Sequence, residues 1–508
     1  MALTQHLSDK VGSDTAHQRC STIRHALIRA GLFAAAPTDD PTTANLPQGQ
    51  GIASHWRIAP TPFLLSHEQV SFFRALGTEL LAFYRALNRL YHESVRGTQP
   101  AWVAAYLDQG KPESLVAYSR MKRFKDFVPA VIRPDVIPTA DGLVITELDS
   151  VPGGIGLTAC MAQAYADLDS SSSQPSALSR QLTNLVGGRD GMVRGFAAML
   201  RAQQGTSPGC TAIVLSDEAK DYRPEMTWLA AQLRESGMEV HCVEPRDVRF
   251  TEEGLFLTTD KGERPIGLVY RFFELFDLKN IPKAELVMYS AKKSRVAVTP
   301  PYKPALEEKL AFALLHHPVL RTFWLHELGE PTLVNLSMLM PRTWVLDPRP
   351  LPPMATIPGL DLGGRPVTDW HELAGATQKE RHYVIKPSGF SELAWGSRGV
   401  SVGHDLPQSE WAAAIENALA SFPATPYILQ EFHKGQVYEL TYLEPKTNEV
   451  VPMSGRVRLS PYYFVTGEQA ELAGILATVC PSDKKVIHGM KDAIMAPCAV
   501  AQKVTGDA

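Results

Sequence analysis

The sequence has no stretch of about 18 apolar residues, so no part of it reads as a membrane-spanning helix. Its first residues, MALTQHLSDKVGSD, lack a basic region followed by an apolar run, which argues against a secretory signal. Cysteine is scarce. Six residues, Cys20, Cys160, Cys210, Cys242, Cys480 and Cys498, are scattered with no CxxC pair and no metal-ligand spacing. They read as free thiols in a reducing compartment, and the expected location is the cytoplasm. Basic residues are not in excess: 50 Lys+Arg stand against 54 Asp+Glu, a net charge of −4. That excludes a general binder of nucleic acid or anionic membrane, which needs a basic surface. There is no GxxxxGK[ST] loop and no GxGxxG opening a helix after a strand, which sets aside a Walker-type nucleotide site and a plain Rossmann dehydrogenase. No repeat of fixed period is present.

What remains is ordinary globular material, 44% apolar and 20% charged over 508 residues. At roughly 100–200 residues per domain this is about three domains. Residues 1–60 are polar and rich in Pro and Thr, and read as a loosely held arm with one helix near 15–35. Ser66 and Gln69 form a capping-box pattern. Behind it Phe73, Leu76, Leu80, Phe83, Leu87 and Leu90 recur at helical spacing, the stripe of a core-packed helix. Residues 127–149 change period, with VPAVIRPDVI and LVITELD as two strands around the turn TADG. DLDSSSSQPS, at 167–176, reads as a linker. Between 210 and 275, TAIVLS, RPEMTWLAAQLRESG, MEVHCVEP and IGLVYRFFE alternate strand, helix, strand and strand, which predicts a parallel α/β sheet. A helix is predicted over 304–317. Farther on, HYVIKPS and PYILQEF read as strands, with the helix PQSEWAAAIENALASF between them.

Chemistry concentrates in RPDVIPTADGLVITELDSVPGG, from Arg133 to Gly154. Residues two apart on a strand share a face, so Arg133 pairs with Asp135 and Glu147 with Asp149. The turn between the strands sets the two pairs opposite each other. Three carboxylates this close repel unless a cation sits among them, and Mg²⁺ takes oxygen ligands that it shares with nucleotide phosphates. Arg133 beside it suits a phosphoryl oxygen. A surface hairpin with alternating charges is the plainer alternative. Glycines just after Asp149 favour a ligand, because they allow close backbone approach.

The second constellation is Lys386 at the end of the apolar strand VIKPS, followed by a loop with Gly389, Gly396, Ser397, Gly399, Ser401 and Gly403. A lysine there needs an anionic partner, and free loop amides suit phosphates. The third is Gln430-Glu431-Phe432, placed to read an adenine edge, with Glu439 placed for ribose hydroxyls. Two further features carry plainer readings. His488 reads as a packed C-terminal histidine. Tyr222, Arg223 and Glu225 read as the charged start of a helix, at the sheet end where ligands favour α/β units.

Together these pieces resemble the ATP-grasp superfamily. VIKPS with its Gly/Ser loop is similar to that superfamily's phosphate-covering strand and loop, QEF to its adenine hinge, and the Arg-x-Asp and Glu-x-Asp pairs to its metal strands. Here the metal pairs precede the lysines, an order that resembles the circularly permuted group of glutathionylspermidine synthase-type ligases. The resemblance covers roughly 115–165 and 210–500. It implies an α/β, circularly permuted ATP-grasp fold with a Rossmann-like substrate domain. The implied partition is an N-terminal helical region over 1–110, a metal-binding part over 111–185, a substrate domain over 186–300 and nucleotide-binding lobes over 301–508. It implies Asp135, Glu147 and Asp149 as magnesium ligands, and Lys309, Lys386, Ser388, Gly396, Ser397, Gly399, Gln430, Glu431, Phe432 and Glu439 around ATP. Arg133, Arg271 and one of Arg456 and Arg458 would serve the transferred phosphoryl group or the substrate. Asp149 stands where glutathionylspermidine synthase has Asn, the loop is longer and carries Leu393 and Trp395, and no amidase domain accompanies the chain. The implied activity is a carboxylate–amine ligase working on small molecules through an acylphosphate. A small-molecule kinase and a nucleotide-binding scaffold are the alternatives.

Overall fold

The computed structural model describes residues 13–34, 56–170, 184–396, 398–444, 447–484, 486–489 and 492–501. Most of the expected linker at 167–176, and Ser397, lie outside them.

Among the described residues three larger sheets carry the chain, beside a two-stranded pair, Asp361–Leu362 with Arg365–Pro366. In the largest, the hairpin strands Val131–Pro138 and Leu143–Asp149 lie at one edge. Next to them run Glu449–Thr466, Gln469–Pro481 and Ile494–Val500. The strand Val437–Glu444 pairs with Glu449–Thr466 and also with the short Arg57–Ile58, which curls this part of the sheet back on itself. The second sheet is the predicted α/β unit. Cys210–Leu215 pairs in parallel with Val240–Val243 and with Gly262–Phe272, and Ala297–Thr299 adds a further parallel strand. The helix Arg223–Glu235 makes the crossover, with Pro224 in its first turn, where a missing N–H costs nothing, and Gly237 just beyond its end at φ +85°. The third is a small antiparallel sheet ordered Thr343–Val345, Tyr427–Glu431, Tyr383–Pro387, Ser401–Val402, covered by the helix Gln408–Ser421.

The Ser66–Gln69 capping box forms as predicted: Gln69 N donates to Ser66 Oγ at 3.1 Å and Ser66 N to Gln69 Oε1 at 2.8 Å. The helix His67–Val95 follows, and its apolar stripe is buried against the large sheet. Gly77 sits at that contact, where a Cβ would lie 2.5 Å from the Ala470 carbonyl oxygen.

Two expectations differ. The helix expected near 15–35 is present as Ser13–Arg29, but it is packed rather than loosely held. Cys20, Ile23 and Leu27 are buried in the main core, because the polar composition hides a one-sided apolar face. The predicted helix over 304–317 is broken: a 3₁₀ turn at Pro304–Leu306 is separated from the helix Ala311–His316. Glu307, Glu308 and Lys309 fall in the break. Each meets an opposite charge on another segment, and that buried pairing outweighs local helix propensity. None of the six cysteines is in a disulfide. Among the described residues no helix is long and apolar enough to cross a membrane.

Candidate active site

The three sheets meet around one cavity of about 510 Å³. Its floor is a face of the large sheet. The in-register pairs Arg133↔Asp149 and Asp135↔Glu147 bring all four hairpin side chains to its lining, and a bulge after Asp135 ends that regular pairing. The predicted convergence of three carboxylates and a guanidinium is therefore present. Arg133 stands between two of the acids, its Nε 3.2 Å from Asp135 and its Nη2 3.0 Å from Asp149. Arg458, on the neighbouring long strand, holds the other oxygen of Asp135 at 3.0 Å, and the Ser460 hydroxyl donates to Asp135 at 3.2 Å. Arg456, two residues earlier on the same strand face, instead donates to the carbonyls of Gly435, Ser482 and Lys484. Arg458 therefore lines the cavity, while Arg456, farther along the same face, is held outside it by those carbonyls.

The lysines arrive from other segments. Lys309 Nζ lies 2.6 Å from Glu147 Oε1. Lys386 Nζ, on the small sheet, donates to Gln430 Oε1 at 2.8 Å and to the Thr146 carbonyl at 3.2 Å. Gln430, Glu431 and Phe432 line the cavity beside it, as does Gly396 on the loop.

Four expected residues do not line the cavity. Arg271 is fully buried, bound to Glu307 and to the carbonyls of Phe273, Pro300 and Pro301. Ser388 gives its hydroxyl to Glu308, which also accepts the Gly389 amide at 3.1 Å. Gly399 is packed on Pro387, and its amide donates to the Leu393 carbonyl. Glu439 is exposed and accepts from Ser454. The amides of Gly389, Gly399 and Gly403 are thus bonded within the protein, whereas the sequence suggested free amides. The glycines after Asp149 also serve packing: a Cβ on Gly153 would meet the Tyr222 ring at 2.1 Å, and one on Gly156 the Glu225 carbonyl at 2.3 Å.

Other lining residues were given plainer readings in the sequence or were not singled out. Tyr222, Glu225 and His488 are in the lining, as are Thr146, Arg398, Ser460 and Tyr462. Glu225 accepts the amides of Gly154 at 2.7 Å and Leu157 at 2.8 Å, so it anchors the start of the helix Ile155–Ser170 from the α/β unit. Arg223 turns away to Glu244 at 3.1 Å. Two signals were legible: Arg398 sits in the Gly-rich loop, and Ser460 and Tyr462 follow Arg458 at strand period.

The charges are unevenly satisfied. Burial pushes the Asp135 carboxyl up, but Arg133, Arg458 and the Ser460 hydroxyl outweigh it and hold it below the usual range. Burial raises Asp149, and the charges of Glu147 and Asp135 add to that against the pull of Arg133. Burial brings the Lys386 ammonium down to about 8. For Lys309 burial acts downward, and Glu147 more than offsets it. Burial lifts Glu225 to about 7, against the two amides it accepts.

In this structure the three acids are already met by cations, Asp135 by Arg133 and Arg458, Asp149 by Arg133 and Glu147 by Lys309. Among the described residues no three His, Cys, Asp or Glu side chains form a ready metal cage. The hairpin acids offer only carboxylate oxygens, the donor type Mg²⁺ takes in company with phosphate oxygens and water.

No protein-family model matches the sequence, and no curated protein matches it. Among solved structures, a glutathione synthetase-like effector from Globodera pallida aligns over 98% of this chain and 100% of its own, with a TM-score of 0.57 and 11% identity. The chain therefore shares the overall fold of that glutathione synthetase-like protein. A second structure, from Methylobacillus flagellatus and named for γ-glutamylcysteine synthetase, aligns over 80% of this chain and 87% of its own, at a TM-score of 0.38 and 11% identity.

Proposed function

We propose that this chain is an ATP- and Mg²⁺-dependent carboxylate–amine ligase of the circularly permuted ATP-grasp type. The observation that carries the reading is the single cavity in which the acidic hairpin, two lysines from separate segments and the Gln430–Phe432 strand end converge. In this reading the region 186–300 is the substrate domain, and 111–185 with 301–508 forms the ATP-grasp unit.

Lys309 and Lys386 leave their internal partners to hold phosphate oxygens, and Gln430, Glu431 and Phe432 frame adenine. Asp135, Glu147 and Asp149 would hold the magnesium, which when bound neutralises and orients the triphosphate. Arg133 and Arg458 present two guanidinium groups to the substrate carboxylate and the transferring phosphoryl group. The carboxylate oxygen bonds to the γ-phosphorus as the bond to ADP breaks. The amine nitrogen then bonds to the acyl carbon, loses a proton, and phosphate leaves. The loop carrying Trp395 and Arg398 keeps water from the acylphosphate, held over the cavity by Arg398 to Glu218 at 3.2 Å.

The test is incubation with Mg-ATP and pools of carboxylate and amine metabolites, read as phosphate release and a new mass. Glu147→Gln and Lys386→Ala should each abolish turnover in a folded protein, and normal turnover in either would overturn the assignment. Phosphate retained on the product would replace the ligase with a kinase.

A further inference from the structure

The cavity continues past Arg458 to an end that none of the residues assigned to ATP or magnesium forms. Across the large sheet, Thr478 pairs opposite Arg458, and Met495 opposite Thr478. Two strand spacings put Met495 about 10 Å from Arg458. Leu476, two residues before Thr478, shares that sheet face and lines the cavity with Met495. The other walls are Leu157 at the start of the helix Ile155–Ser170, Leu32 just after the helix Ser13–Arg29, Trp56 and Ile487. The N-terminal segment therefore walls the cavity as well as packing into the core.

Its own contacts hold this end in shape. The Trp56 ring meets Phe33 edge-on at 6.5 Å, and its Nε1 donates to the Gly489 carbonyl at 3.4 Å. Cys480 Sγ donates to the His488 carbonyl at 3.2 Å, which ties the same loop to the sheet. The polar groups here are few and of one sign. Arg458 gives one nitrogen to Asp135, and its buried Nε has no hydrogen-bond partner among the described residues. Burial and the Arg458 charge both hold the His488 imidazole below its usual range, so it is neutral near pH 7. None of the acids that line the cavity lies on these segments. Asp135, Glu147 and Asp149 belong to the hairpin, Asp221 and Glu225 to the α/β unit, and Glu431 to the small sheet. Glu225, which reaches Leu157, is taken up by the Gly154 and Leu157 amides. Apolar walls beside a single cation fit a ligand with an anionic head and an apolar tail.

We infer that this end receives the apolar tail of the acid substrate, whose carboxylate lies at Arg458, and that this acid carries no ammonium group of its own. An amino acid or an amine seated here would bring a cation against Arg458, with no free acid to meet it. The tail, in turn, covers Trp56, Ile487 and Met495 and takes their apolar surface out of water. The inference rests on the ligase reading for the word substrate, while the preference for an apolar acid is measurable without ATP.

The experiment is equilibrium binding of 4-phenylbutyrate, L-glutamate and 4-phenylbutylammonium to the full-length protein, by calorimetry or ligand-observed NMR, beside a separate titration with Mg-ATP. Phenylbutyrate should bind at least tenfold tighter than either of the others. Trp56→Ala and Ile487→Ala should each weaken phenylbutyrate fivefold or more, and Arg458→Gln tenfold or more. Glutamate or phenylbutylammonium binding as tightly as phenylbutyrate, or undiminished phenylbutyrate binding in any folded variant, overturns the inference. The ranking of the three probes needs no variant, so it decides even where a substitution unfolds the chain. Phenylbutyrate binding without Mg-ATP binding would leave the apolar end standing and remove the ligase, and the reverse result would remove the apolar end alone.

Discussion

Lys111→Met should be among the most damaging single changes outside the cavity. Lys111 Nζ lies 2.5 Å from Glu308 Oε1, and the two side chains are 0% and 1% exposed. The other oxygen of Glu308 accepts the Ser388 hydroxyl and the Gly389 amide. One buried carboxylate therefore ties the loop before residue 113, the break before Ala311 and the turn that follows the Lys386 strand. Methionine keeps the volume and the stem packing but leaves Glu308 charged without its cation. Breaking a buried pair from one side costs about 3–5 kcal/mol. At about 2.1 cal/mol/K per residue, the 508 residues give an unfolding entropy of about 1.1 kcal/mol/K, so Tm should fall by about 3–5 °C. Calorimetry and urea unfolding read this directly. The double variant Lys111→Met/Glu308→Gln removes both charges, keeps an acceptor for Ser388 and Gly389, and should recover at least about 2 kcal/mol. A single-variant loss under about 1 kcal/mol, or a double variant no better than the single, would refute the buried pair as the anchor.

Other expectations are narrower. Because Glu225 is lifted from 4.5 to about 7, the folded state holds the extra proton, so its contribution to stability is full below pH 4.5 and is lost as pH rises through 7. Across that window the wild type should lose roughly 3 kcal/mol more than Glu225→Gln, and parallel stability–pH curves would count against it. Arg398→Ala removes an exposed ion pair to Glu218, so it should cost under about 1 kcal/mol while hastening proteolysis between 389 and 403; unchanged cleavage would show that the pair does not seat the loop. Gly153→Ala puts a Cβ 2.1 Å from the Tyr222 ring and should cost about 1–3 kcal/mol by overpacking, read as a lower urea midpoint.

The sequence carried the local elements well, because each has a short-range cause. The Ser66 capping box, the period-two hairpin from Val131 to Asp149 and the strand–helix–strand run after Cys210 all have their signal within one element. The charged hairpin, Lys386 and Gln430–Phe432 were also legible from residue type and spacing, and Lys309 from the family resemblance alone. What failed was longer in range. Composition suggested a loose arm where Ser13–Arg29 is buried, because the apolar face that packs it is only one side of a polar helix. Propensity gave a continuous helix at 304–317, where three charges with distant partners break it.

The sequence by itself determined which side chains share a strand face, since a strand's period is local. Only the tertiary structure decided which of them meet. Arg271 and Ser388 carried the right chemistry but are claimed by Glu307 and Glu308, whereas Tyr222, Glu225 and His488 looked like packing and line the cavity. The reason is physical: a buried polar group must find a partner, and the partners lie 36 positions away for Arg271, 80 for Ser388 and 68 and 71 for Glu225, which no local pattern encodes.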